Sequence, residues 1–161
     1  MAPAALAIAG CGEKPAHNAD SLGFQFDPAP DSAAIARGEP LLREFEPYRA
    51  SDGALRVRGR FALPDGARLE ISVRRDSDGR EMAREQVLLI SGGFDTPPMP
   101  SQGGTLPEDR YRFEIRTEFN RVWQPENVID ATRSGLSLTG PGMGRGAHGE
   151  AIYRMTVEKT L

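Results

Sequence analysis

Leu55-Arg56-Val57-Arg58-Gly59-Arg60-Phe61-Ala62-Leu63 decides the fold. Its odd positions are apolar or glycine, and three of the four even ones are arginine. Successive side chains of a strand point to opposite faces, so this stretch predicts a strand with one face in a core and one in water. Pro64-Asp65-Gly66-Ala67 then reads as a turn, because Pro presets φ, Asp bonds back to the backbone and Gly accepts positive φ. Leu69-Glu70-Ile71-Ser72-Val73-Arg74 resumes the alternation. Two alternating runs around a turn predict a hairpin over residues 54–75.

The same signals continue outward. Ser77-Asp78-Gly79-Arg80 is a second turn, and Met82 to Ile90 is a strand whose nearly continuous end, Val87-Leu88-Leu89-Ile90, suits burial on both faces or a passage through the core. Pro and Gly punctuate a long loop over residues 92–109. Tyr111-Arg112-Phe113-Glu114-Ile115-Arg116-Thr117-Glu118-Phe119 alternates cleanly, Val128-Ile129 and Leu136-Ser137-Leu138 are shorter strand candidates, and Ala151 to Glu158 reads as a terminal strand. About seven short strands without a long helical period predict an all-β chain, an antiparallel β-sandwich of Ig-like or transthyretin-like type over residues 41–161. A small barrel fits the same pattern.

Composition narrows the function classes. A chain of 161 residues has room for one domain. No stretch approaches the roughly 18 apolar residues that span a bilayer. Cys11 is the only cysteine, so no internal disulfide forms, and the two histidines, His17 and His148, are far apart. That argues against a Cys/His metal site, and no cofactor is expected. From Leu41 onward 18 basic and 18 acidic residues cancel, so the net charge of −3 comes from residues 1–40. A neutral, mixed surface is not that of a nucleic-acid binder.

No motif carries catalysis. Gly144-Arg145-Gly146-Ala147-His148-Gly149 matches G-x-G-x-x-G, but a strand-like segment follows where nucleotide binding needs a helix N-terminus. The wider Gly140–Gly146 run reads as a flexible hairpin loop. His148 has no second ligand within local spacing, Glu108-Asp109 sits at a turn, and no Ser lies in a G-x-S-x-G elbow. The protein is therefore expected to be non-catalytic. Trp123, the only tryptophan, fills a core or corner on one reading and is a binding hot spot on the other. Sandwiches bind through loops on a rigid scaffold, which makes loops 92–109 and 140–149 the expected contact surface, with Phe94, Met99, Trp123, Met143, Arg145 and His148 as contact residues. Arg56, Arg58, Arg60, Arg112 and Arg116 would form one outward stripe if their strands pair, neutralised by Glu70, Glu114 and Glu118.

The N-terminus carries an address. Leu6-Ala7-Ile8-Ala9-Gly10-Cys11 follows a short apolar run and resembles the bacterial lipobox. The resemblance implies cleavage before Cys11 and acylation of that residue, with residues 1–10 as the remnant of a signal peptide. Met1 to Gly10 lacks the basic n-region of such signals, so the true start is expected upstream. The competing reading is a frayed terminus of a cytoplasmic protein. Residues 11–40 read as a flexible tether broken by Pro15, Pro28, Pro30 and Pro40, with Phe24 and Phe26 able to dock as a short strand and residues 31–38 able to form a helical turn. In a Gram-negative host, Gly12 after the cysteine implies, by the same resemblance, sorting to the outer membrane, facing the periplasm.

The pattern Gly59-x-Phe61-x-Leu63-Pro64-Asp65-Gly66-Ala67-x-Leu69-x-Ile71-x-Val73, with Gly93-Phe94 and Tyr111-x-Phe113-x-Ile115, resembles small bacterial lipoproteins with one sandwich domain. Gln124-Pro125-Glu126-Asn127-Val128 and Leu136-x-Leu138-x-Gly140 are similar to an uncharacterised branch of them, and the Leu-Pro-x-Gly-Ala turn is similar to pilotin-type lipoproteins that assist secretion assemblies. These are turn and core residues, so the resemblance implies a fold and a location. The expected function is that of a membrane-anchored binding or envelope-assembly accessory module, whose partners are membrane lipid through Cys11 and an envelope protein. The alternative is a soluble ligand-binding or inhibitor module using the two loops.

Overall fold

Strand β1 (Leu42–Arg49) pairs with β2 (Leu55–Phe61), and β2 pairs with β5 (Gly93–Asp95), giving a three-stranded sheet. The second sheet runs β4 (Glu81–Leu88), β3 (Arg68–Arg75), β6 (Arg110–Glu118), β8 (Ala151–Thr160) and β7 (Met143–Arg145). Every pairing is antiparallel. The computed structural model describes residues 39–100 and 105–161. The lipobox with Cys11, the strand and helical turn expected within the tether, and the signal remnant all lie outside the described residues.

The chain is a β-sandwich, with eight strands among the described residues. Inward side chains of β2 (Leu55, Val57, Phe61) meet those of β3 (Leu69, Ile71, Val73), β6 (Tyr111, Phe113, Ile115) and β8 (Ala151, Tyr153) in one core. Two edge-on aromatic pairs bridge the layers: Phe45 on Phe113 at 5.5 Å and Phe61 on Tyr153 at 4.9 Å. Burying each such ring contributes on the order of 2–3 kcal/mol. Burial also raises the Tyr153 hydroxyl to about 12; it lies near the backbone N–H of Leu42 without reaching hydrogen-bond geometry.

The expected hairpin over 54–75 does not form. β2 and β3 lie in different sheets, and their partners are β1 and β5 on one side, β4 and β6 on the other. The turn itself is present, closed by the Ala67 N–H on the Pro64 carbonyl at 3.2 Å. Ala62, Leu63 and Ala67 are buried, however, because six residues carry the chain across the roughly 10 Å between layers. Alternation predicts a strand with a buried face and is silent about which strand lies beside it. The single arginine stripe fails for the same reason. Arg58 and Arg60 pair with Glu46 and Glu44 of β1, whereas Arg112 pairs with Asp76 and Glu158 on the other sheet.

The order β1-β2-β5 against β4-β3-β6-β8 resembles the connectivity of an immunoglobulin-type sandwich, except that the strand between β3 and β5 lies beside β3 and not beside β5. A tyrosine corner accompanies it: Tyr111, near the start of β6, donates its hydroxyl to the Pro107 carbonyl at 2.7 Å. Two further expectations are corrected. Val87 and Leu89 are buried while Leu88 and Ile90 are exposed, so this segment is an edge strand with one wet face. Val128-Ile129 belongs to a helix, α1 (Glu126–Thr132), and Leu136-Ser137-Leu138 lies in turns. The buried positions Val128, Ile129 and Thr132 make one helical face, and Arg133, Ser134 and Gly135 end the helix with positive φ.

Candidate functional site

Strand register divides the connections between two ends. Phe61 pairs with Leu42, Leu88 with Arg68, and Glu118 with Ile152. The chain entry before β1, the connections 62–67 and 89–92, and residues 119–150 therefore share one end. Connections 50–54 and 76–80, with residues 96–100 and 105–109, share the other. Hydrogen bonds tie the first end together. The Gly66 N–H donates to the Leu89 carbonyl at 2.8 Å, and the Asn127 side-chain amide donates to the Asp65 carbonyl at 2.9 Å. Buried Gln124 is the hub: its Oε1 accepts from the Arg68 N–H at 3.0 Å, and its Nε2 donates to the Arg68 carbonyl at 3.0 Å and to Thr117 Oγ1 at 2.6 Å.

This end is apolar where it meets water. Among the described residues, the exposed large hydrophobic side chains are Val122 (92%), Ile90 (66%), Leu136 (61%) and Leu88 (55%). All four belong to it. Partly exposed Trp123 sits next to Val122, and its indole N–H donates to the Arg68 carbonyl at 3.3 Å. The opposite end carries Asp52, Asp76, Asp78, Glu108 and Asp109.

Beside the apolar end, on the outer face of the five-stranded sheet, a cleft of about 550 Å³ lies under the β7–β8 turn. Arg116, Glu118, Arg145, His148, Glu150 and Arg154 line it. Outward positions of β6 and β8 supply its floor, since Arg116 pairs in register with Arg154 and Glu118 with Ile152. Arg116 is held by Glu118 through one terminal nitrogen, while its buried Nε has no partner. Arg154 leans on Glu114 at 3.6 Å. The turn is fixed by Glu150, which accepts from the His148 backbone N–H at 3.0 Å and lies where a Cβ on Gly146 would clash. Arg145 donates to the Gly149 carbonyl at 3.2 Å; among the described residues it has no carboxylate partner and the His148 imidazole makes no hydrogen bond. The remaining guanidinium donors of Arg145 and the imidazole in a cleft suit a carboxylate or phosphate group on a ligand.

Comparison with protein-family models, curated proteins and solved structures finds no match.

The sequence-derived contact residues are dispersed. Arg145 and His148 meet in the cleft. Trp123 stands at the apolar end. Phe94 and Met99 are buried in the core, and Met143 packs partly buried against it, so loop 92–109 supplies wall rather than contact surface there. Residues 96–100 and 105–109 of that loop lie at the end opposite loop 140–149, so the described parts of the two loops do not make one surface. Arg116, Glu118, Glu150 and Arg154 were not singled out for this cleft. Their outward positions are readable from alternation, but the pairing of β6 with β8 is not. Among the described residues no cluster of three or more His, Cys, Asp or Glu could hold a metal, and no helix is long and apolar enough to cross a membrane.

Charge elsewhere is spent on the sheet faces. Asp78, Glu81 and Glu158 sit below the ordinary carboxylate range because Arg75, Arg84 and Arg110 respectively hydrogen-bond them. One group moves the other way. Burial raises Asp95 despite the Tyr48 hydroxyl, which donates to both of its oxygens at 3.1 and 3.2 Å. Burial and the Asp95 charge raise Tyr48 as well, while Arg58 stacks 5.0 Å over its ring.

Proposed function

We propose that this protein is a lipid-anchored, non-catalytic accessory module of a bacterial cell envelope, probing a partner through the cleft under the β7–β8 turn. The anchor is Cys11, in the setting of a lipobox, and the expected location is the outer membrane facing the periplasm. One observation carries the binding role: Arg145 and His148 line a cleft on the outer sheet face, with side-chain donors that no carboxylate among the described residues takes up. Such donors suit an acidic group on a partner that approaches from the sheet face. Among the described residues the His148 imidazole has no hydroxyl, carboxylate or thiol partner, which a nucleophile–base pair requires.

The test is intact mass and detergent partitioning of the protein expressed from its native locus, beside a Cys11→Ser control. Cleavage before Cys11 plus the mass of acyl chains, lost in the control, is the expected result. An unmodified, soluble product would overturn the anchor and leave a sandwich that binds its partner in solution.

A further inference from the structure

We propose that the end of the sandwich bearing Ile90, Val122, Trp123 and Leu136 rests on a lipid surface, with the domain standing on that end. The inference deepens the lipid-anchored reading and rests on it for the choice of occupant. Three observations carry it.

The first is asymmetry. Every exposed large hydrophobic among the described residues lies at this end, and Val122 is exposed almost completely. The second is where the chain enters. β1 begins at Leu42, which pairs with Phe61, so the segment leading back to Cys11 joins the domain at this same end. The 27 residues between Cys11 and Glu39 are long enough for either end to reach the bilayer, so it is the apolar end that decides the orientation.

The third is the chemistry of the rim. Tryptophan favours the headgroup region, where its ring is sheltered and its N–H satisfied, and the Trp123 N–H already has the Arg68 carbonyl. Arg121 and Arg133 flank Val122 and Leu136, have no ion-pair partner among the described residues, and can extend their heads toward phosphate while their stems cover apolar surface. Asp65, Glu126 and Asp130 at the same end offset them, so contact depends on apolar insertion more than on lipid charge. The cleft opens on the sheet face beside this end and stays accessible to a partner.

The sole cysteine and sole tryptophan make the test direct. The full chain is coupled through Cys11 to a maleimide-bearing lipid in phosphatidylcholine vesicles, with acyl chains either plain or brominated. Trp123 fluorescence is expected to fall by about half on the brominated vesicles, with little change in high salt. Val122→Asp and Leu136→Asp, each on an exposed side chain and checked for native circular dichroism, are expected to abolish that quenching. Equal fluorescence on both vesicles overturns the proposal, as does a dimer in light scattering that Val122→Asp dissolves, which would give this end to a second copy. Because coupling is chemical, the result is independent of acylation in the cell. An unmodified native mass with quenching intact removes the Cys11 anchor and supports the lipid-facing surface.

Discussion

Tyr111 donates its hydroxyl to the Pro107 carbonyl across four residues, pinning the crossing from the three-stranded sheet to the start of β6. The ring is buried, so burial raises the hydroxyl's pKa and the proton stays in place. Tyr111→Phe keeps the ring and removes the bond. We expect a loss of about 1 kcal/mol in urea unfolding with an unchanged m-value. A fully neutral substitution would mean that the corner is held by packing alone.

Gln124 is the opposite case, a side chain whose partners are backbone. Gln124→Ala leaves the Arg68 N–H without its acceptor and opens a void between β3, β6 and the segment leading to α1. A cost of about 2–3 kcal/mol is expected. Hydrogen exchange should accelerate at Arg68 and across residues 119–132 before the rest of the core. Uniform acceleration would show that the site is no local hub.

Gly59 admits no side chain. A Cβ there would stand 2.4 Å from the Glu44 carbonyl oxygen and 2.6 Å from the Phe94 ring. Gly59→Ala should therefore destabilise by about 3 kcal/mol through overpacking of the three-stranded sheet. Phe94→Leu in the same chain should recover part of that loss, because the ring is one of the two clashing groups. Failure of the second change to help would put the whole clash on the β1 backbone.

Asp95 gives a pH dependence of defined sign. Its folded pKa is raised, so the native state holds the proton more tightly than the unfolded chain, and stability falls as pH rises from the ordinary carboxylate value of about 4 through the raised one. Asp78, Glu81 and Glu158 contribute the reverse, stability that is lost as pH drops through their lowered values. The difference between Asp95→Asn and the parent isolates the first effect. Asn still accepts from Tyr48, and the variant should gain in Tm with rising pH and hold that gain at neutral pH. A pH-independent difference would contradict the sign.

Alternation made β2, β3, β6 and β8 legible, because a half-buried strand writes its two faces directly into the chain. The sandwich class followed from their number and spacing. Which strands lie together was not legible: Pro64-Asp65-Gly66-Ala67 makes the same local turn whether the chain folds back in one sheet or crosses to the other, and only the burial of Ala62, Leu63 and Ala67 separates the cases. Helix α1 was missed because two adjacent apolar residues suggest a strand. Pro125 before the helix, Gly135 after it and the spacing of Val128, Ile129 and Thr132 were the available signals. The cleft was half legible. Arg145 and His148 are close in sequence, but Arg116 and Arg154 meet them only through the register of β6 with β8.

The layer crossing between β2 and β3 also bears on how fast the domain forms. The two most strongly patterned neighbouring strands never become partners, so their proximity along the chain earns no early ladder. β2 must wait for β5, whose paired residues are 33–37 positions away, and β3 for β6, 36–46 positions away, before either is enclosed on both edges. Chains assembled from such distant pairings fold in about milliseconds to seconds rather than microseconds. Stopped-flow refolding should place this domain in that slow range, with β2, β3 and β6 sharing the nucleus.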